Sequence, residues 1–222
     1  MPSKAWMAFD KNAADISRLL EIHTDLGGEA QGRRYRLEVL NKSAIVLITA
    51  IWEAYCEDLA AEALQHIVQH TRNPDALPVD LKKKIAKELE ADLNDVAIWK
   101  LADQGWRGVL TKRLDDLAQE RNKKLNTPKA ENIIELFHSA LGLTDVSSRW
   151  RWRGMSVQQA KDKLDKYVSL RGAIAHRGQA GASCTKAQVK GYFAHVKRLV
   201  AKTGGSVNAH VRATTGSRLW ER

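Results

Sequence analysis

The fold is set by SAIVLITAIWEAYCEDLAAEAL, residues Ser43–Leu64. A surface helix carries one apolar stripe, whereas a helix that is apolar on most of its sides is covered by its neighbours. The most apolar run, Ala44–Trp52, is much shorter than the ~20 residues that cross a bilayer. We therefore predict a long central helix over Arg33–Thr71, buried inside a helical protein.

The rest of the chain also has helical periodicity, and strand signals are nearly absent. We predict further helices at Asp10–Leu26, Asp80–Asp92, Val96–Leu125, Lys129–Leu141, Ser156–Gly178 and Thr185–Lys202. The predicted fold class is all-α, a helical bundle with one long central helix and a C-terminal pair of helices. Residues 1–202 are expected to form a single domain, and residues 203–222 a basic, flexible tail.

Two capping boxes mark the starts of the last two helices. Ser156 is followed three residues later by Gln159, and Thr185 by Gln188. In such a pair, each side chain bonds a backbone amide that the helix leaves free. Both helices should therefore begin at these positions.

Some ring side chains have structural interpretations. Trp99 and Trp106 lie at helical spacing within the segment predicted at Val96–Leu125, so we expect them in the core. His195 is expected on the surface of the last helix.

The composition is that of a globular protein, since 44% of the 222 residues are hydrophobic and 28% are charged. Its two cysteines, Cys56 and Cys184, are too few for a disulfide framework in a chain of this length. Because no secretory signal is apparent either, we expect a reduced, cytoplasmic protein that does not enter a membrane.

Positive charge is concentrated in the last third of the chain. The formal net charge is +10. Residues 149–222 contain 16 Lys and Arg against three acids, whereas residues 1–148 contain 20 against 23. A basic segment indicates a polyanionic partner, with nucleic acid first and an anionic membrane second. A solvated basic face is the alternative.

The same third contains LDKYVSLRGAIAHRG, residues Leu164–Gly178, in which four small or apolar residues separate Arg171 from His176. Histidine can transfer a proton near neutral pH, and arginine offers a fork of donors suited to a phosphate. RNA cleavage needs little more, because the 2′-OH of RNA can itself attack the adjacent phosphate.

Helix geometry limits what one copy of this segment can do. Positions five apart on a straight α-helix lie about 140° apart around the axis and about 7.5 Å along it. Arg171 and His176 of one helix are therefore poorly placed to act on a single phosphate. A two-fold dimer with facing helix ends would bring together two arginines and two histidines.

Glu53 is a third candidate, because it follows Trp52 in the most apolar part of the central helix. Buried acids are rare unless they are paired. Glu53 either pairs with a cation, for which Arg171 is a candidate, or faces solvent beside Glu57.

The loop before Ser156 alternates Arg and Trp: Arg149, Trp150, Arg151, Trp152 and Arg153. Such a loop can hold single-stranded RNA, with indoles stacked on bases and guanidiniums on phosphates. Equally, the tryptophans can anchor the loop while the arginines face water. Arg177, next to His176, is a further arginine that we expect to contact RNA.

Metal and cofactor motifs are missing from the sequence. There is no CxxC, no HExxH, no Walker-type or GxGxxG phosphate loop, and no GxSxG around a serine nucleophile. We therefore expect neither a metal nor a cofactor.

Four segments, in this order, resemble the RiboL-PSP type of HEPN domain. They are AIVLITAIWEAYCEDL, RNKKLNTPKAENIIELFHSALGL, RWRW, and SLRGAIAHRG with its Arg-x4-His spacing. The resemblance covers roughly Arg33–Lys202.

The resemblance implies a bundle that homodimerises into a composite active site and cleaves RNA without a metal, in toxin–antitoxin, abortive-infection or antiviral systems. Arg171 and His176 match the signature residues, and Glu53 is a looser match to an acid of related domains. Besides RNA, an antitoxin or another defence-system protein is an implied partner. Gly172 departs from the family, which often has Asn, Asp or His at this position.

Two other functions fit the sequence. A non-catalytic HEPN-type RNA-binding or assembly module would bind RNA and leave it intact. A basic helical DNA-binding regulator would prefer duplex DNA, although no helix-turn-helix is recognisable.

Overall fold

The computed structural model describes residues 2–27, 37–120, 127–177 and 184–221, without the side chains of residues 27, 116–120, 176 and 177. In this part of the chain the α-helices are α1 (Lys4–Gly27), α2 (Glu38–His70), α3 (Val79–Glu90), α4 (Gly105–Glu120), α5 (Ala130–Leu141), α6 (Val157–Arg177) and α7 (Lys186–Thr215). The same residues contain no strand, only an isolated bridge between Trp152 and Met155. The predicted all-α fold class is confirmed.

Helix α2 is the centre of the bundle, as its sequence predicts. Helices α1, α4, α5, α6 and α7 all pack against it. Its buried residues lie on most of its sides, and Ile45, Ile48, Trp52, Leu59 and Leu64 have no exposed surface. Burial of one large apolar side chain is worth about 1.5–3 kcal/mol. The apolar middle of α2 therefore holds the other helices in place.

An aromatic cluster ties α2 to the C-terminal half of the chain. The Trp52 ring meets the Trp150 ring edge-on, with centroids 5.9 Å apart. Trp150 Nε1 donates to Thr203 Oγ1 of α7 over 2.9 Å, and Trp52 Nε1 donates to the Pro128 carbonyl over 3.3 Å. Both indoles thus bury their rings and satisfy their N–H groups.

The helix starts agree with the predicted capping boxes. The Ser156 hydroxyl accepts from the Gln159 amide over 3.2 Å, and the Gln159 side chain accepts from the Ser156 amide over 2.9 Å. Thr185 and Gln188 form the same reciprocal pair at the start of α7. These caps fix where the two C-terminal helices begin.

The single helix predicted at Val96–Leu125 is wrong. A 3₁₀ segment over Ala97–Leu101 precedes α4, and Asp103 between them has a φ of 49°. The turn brings position 105 against the carbonyl of Lys100, where only glycine fits. Trp106 is buried as predicted, but Trp99 is 74% exposed because the 3₁₀ segment turns it outward.

The predicted end of the last helix near Lys202 is also wrong, and so is the flexible tail that was expected beyond it. Helix α7 continues to Thr215. Val207 and Val211 are fully buried one helical turn apart, and Leu219 and Trp220 pack against the core. The apolar stripe of α7 therefore continues past the predicted end of the helix.

Candidate functional site

The signature positions Arg171 and His176 both lie in the last two turns of α6. The helix is continuous to Arg177, so Gly172 does not interrupt it. Arg171 is half-buried. The side chains of His176 and Arg177 lie outside the described residues, so their predicted roles stay predictions.

Glu53 of α2 and Arg171 of α6 are close enough for their charges to interact. The pKa of Glu53 is raised to about 7, mainly by burial and also by the charge of Glu57, while the Arg171 guanidinium acts in the opposite direction. Glu53 itself is half-buried. The structure thus brings together two of the three predicted catalytic residues. A carboxyl group with this pKa can hold or release a proton at neutral pH.

Two tyrosines complete this site, and the sequence interpretation missed both. The hydroxyl of Tyr192, on α7, hydrogen-bonds Thr49 over 3.0 Å. Its ring stacks on Tyr167 of α6, with centroids 4.2 Å apart. Burial raises the pKa of Tyr192, and the charges of Arg171 and Glu53 act on it in opposite directions. Tyr167 lies one helical turn before Arg171 and could have been found by that spacing.

The Arg–Trp loop divides between core and surface. Trp150 has no exposed surface, so its predicted role in stacking on RNA bases is wrong. Trp152 is half-buried and its ring packs against His195, with centroids 5.5 Å apart. The arginines of this loop, Arg149, Arg151 and Arg153, are exposed. The structure therefore supports the alternative in which the tryptophans anchor the loop and the arginines face outward.

His195 is buried, contrary to its predicted place on the surface. Its Nε2 lies 3.1 Å from the Ala160 carbonyl. This hydrogen bond joins α7 to α6. Burial is the main cause that lowers the pKa of His195 to about 4, so this ring is neutral at physiological pH. It connects the two C-terminal helices and is not available for proton transfer near neutrality.

The loop and the Glu53–Arg171 pair lie at opposite ends of α6. The loop precedes the helix start at Val157, and Arg171 is fourteen positions further on. At about 1.5 Å per residue, this separates them by roughly 20 Å along the axis. One site cannot include both, but a polynucleotide can contact both.

The described residues show neither a metal site nor a membrane span. Among the described side chains, no group of three His, Cys, Asp or Glu is placed to hold a metal ion. None of the helices in the described ranges combines the length and hydrophobicity that a membrane crossing requires.

Comparison with known proteins places the chain in a family. The family model described as RiboL-PSP-HEPN matches residues 11–209, which include α2, α6 and most of α7. No curated protein and no solved structure matches the chain. HEPN domains are generally ribonucleases or RNA-binding domains. The chain belongs to the RiboL-PSP-HEPN family.

Proposed function

We propose that this protein is an endoribonuclease that cleaves RNA without a metal ion. The observation that carries the proposal is the charge interaction between Glu53 of α2 and Arg171 of α6. It places a carboxyl group with a pKa of about 7 beside a guanidinium suited to a phosphate. Family membership supports a function on RNA.

The reaction begins when the 2′-oxygen of RNA attacks the adjacent phosphorus. A base takes the 2′-OH proton, the bond from phosphorus to the 5′-oxygen breaks, and an acid protonates that leaving oxygen. The products are a 2′,3′-cyclic phosphate and a 5′-OH. His176 and Glu53 supply the proton transfers, and Arg171 stabilises the negative charge that develops on the phosphorane.

The active form in this proposal is a homodimer with a composite site. Positions 171 and 176 of one α6 face different directions, so one copy is poorly placed to direct both side chains at the same phosphate. In a two-fold dimer, the second copy of the helix end can supply the missing side chain. The family also suggests dimerisation. Light scattering should therefore give a mass of twice the 24.9 kDa of one chain.

The biological setting follows from the family resemblance alone. We propose a role in a toxin–antitoxin, abortive-infection or antiviral system, in which an antitoxin or another defence protein restrains the cleavage. Growth arrest on expression of the wild-type chain, absent with Arg171→Ala, would support it.

Incubation with RNA in EDTA tests the proposal. The wild-type protein should cleave, whereas Arg171→Ala and His176→Ala should lose 10²-fold or more of the rate, as expected for acid–base and electrostatic groups. Arg18→Ala is the matched control, because Arg18 is exposed and pairs with Glu21 on α1. Intact RNA after incubation with folded wild-type protein, or full activity in both variants, would overturn the proposal.

A non-catalytic RNA-binding module is the second candidate function. Gly172 favours it, because the residue at this position is often polar in the family and could assist the reaction. This function predicts salt-sensitive RNA binding with the RNA recovered intact. Product analysis in the same incubation separates the two functions.

A further inference from the structure

A cavity lies on the side of α2 away from Glu53. It has a volume of about 390 Å³ and lies between the start of α1, the middle of α2, α7 and the segment after α7. Ligand pockets commonly have volumes of about 300–1,000 Å³. The residues that give it its character are Trp6, Tyr55, Val200, Gly204, Trp220 and Glu221.

This cavity is separate from the proposed ribonuclease site. Tyr55 follows Glu53 by two positions, which turns it about 200° around α2. Gly204 follows Tyr192 by twelve positions in α7, or roughly 18 Å along the axis. A molecule in the cavity would therefore not occupy the place of RNA at Arg171.

The inner wall of the cavity is held rigidly. The Tyr55 hydroxyl donates to the Val200 carbonyl over 3.0 Å, and the Tyr55 ring meets the Phe9 ring edge-on. A Cβ at position 204 would lie only 2.9 Å from the Tyr55 hydroxyl and 3.6 Å from the Trp220 ring. Glycine is thus required where α7, Tyr55 and Trp220 meet.

The chemistry of the lining is aromatic and acidic, in contrast to a chain of net charge +10. Two indoles and a phenol line it beside the carboxylate of Glu221, and its described lining includes no Lys or Arg. Glu62 of α2 holds the start of α1, because its carboxylate accepts from the amides of Lys4 and Ala5. Trp is the best ring for a cation–π contact, and aromatic walls suit quaternary ammonium groups.

We propose that this cavity binds an alkylammonium group. The cation lies against Trp6 and Trp220, and Glu221 balances its charge at the rim. The carboxylate argues against a nucleotide, since its phosphate would meet a like charge. Trp6 is 41% exposed, so its indole ring is accessible to a ligand.

Choline and its uncharged carbon isostere, 3,3-dimethyl-1-butanol, test the proposal by calorimetry and tryptophan fluorescence on the full chain. Choline should bind, and the isostere about tenfold or more weakly, because it lacks the charge that the rings and Glu221 attract. A peptide with a trimethyllysine distinguishes a protein side chain from a free amine as the source of the group.

Substitutions in the cavity lining test whether choline binds there. Trp6→Ala and Glu221→Gln should each weaken choline binding several-fold, while Trp99→Ala and Glu90→Gln, at exposed positions outside the lining, should not. Glu221→Gln keeps the test valid if Trp6→Ala fails to fold. Absence of choline and peptide binding, equal binding of the isostere, or binding of adenosine monophosphate in place of choline would overturn the proposal.

Discussion

At the scale of single residues, Glu53 makes a testable contribution to the pH dependence of stability. Burial raises its folded-state pKa from 4.5 to about 7. Its contribution to stability is therefore fully present below about pH 4.5 and is lost as the pH rises through 7. Glu53→Gln cannot ionise and should not show this loss. The free energy of unfolding of the variant, relative to that of the wild type, should therefore be higher at pH 8 than at pH 5.

Urea unfolding at both pH values measures this difference. Glu90→Gln is the control, because Glu90 is exposed and should follow the wild type at both pH values. An equal difference between Glu53→Gln and the wild type at pH 5 and pH 8 would show that Glu53 is an ordinary surface carboxylate.

Two adjacent glycines in α7 should respond to alanine in opposite directions. Gly204→Ala forces a methyl group against the Tyr55 hydroxyl, whose ring is buried, and should cost about 1–3 kcal/mol. Gly205 is exposed, with nothing within 4 Å of an added Cβ, so Gly205→Ala should gain about 0.5–1 kcal/mol of helix stability. Thermal unfolding of both variants measures the contrast, and equal effects would contradict this packing.

The environments of single residues could be predicted from the sequence only in part. The charge interaction between Glu53 and Arg171 agrees with one of the two alternatives that the sequence leaves open, because buried acids are rare unless they are paired. The burial of Trp150 could not be predicted, since alternating Arg and Trp fit both an RNA-binding loop and an anchored one. Only the contact with Trp52, far away in sequence, decides between them.

At the scale of elements, the capping box of α7 should support the helix that carries Tyr192. The Thr185 hydroxyl accepts from the Gln188 amide over 3.2 Å. Thr185→Ala removes this acceptor and should cost about 1 kcal/mol, whereas Thr185→Ser keeps it and should cost much less. Urea unfolding compares the two, and equal losses would mean that the hydroxyl contributes nothing.

Helix ends were predictable where a local side chain makes them, as at Ser156 and Thr185. They were not predictable where distant contacts decide. The sequence predicts an end near Lys202, yet α7 continues through Gly204, where Tyr55 packs against the bare backbone. The turn before α4 likewise depends on the fit of Gly105 against Lys100, not on the apolar spacing of the segment.

At the scale of the whole molecule, the basic C-terminal third should control RNA affinity. Replacing Arg149, Arg151 and Arg153 by Ala removes three exposed charges. RNA affinity should fall, and the slope of log affinity against log salt should become shallower by about 2, at roughly 0.7 per phosphate contact on a single strand. Fluorescence anisotropy over a salt series measures both.

The control for this triple variant removes the same charge elsewhere. Lys83, Lys87 and Lys112 are exposed on α3 and α4, outside the basic third, and their replacement by Ala should leave the slope nearly unchanged. Equal effects of the two triple variants would mean that RNA affinity depends on the net charge of the protein and not on the position of these arginines.

The central claim is that α6 carries a ribonuclease site that relies on the 2′-OH of its substrate. The most direct measurement incubates the protein in EDTA with an RNA oligonucleotide and with its fully 2′-O-methylated counterpart. We expect cleavage of the RNA alone, with cyclic phosphate ends, and a rate at least ~10²-fold lower with Arg171→Ala. Cleavage of the methylated oligonucleotide, or unchanged cleavage by Arg171→Ala, would contradict the account.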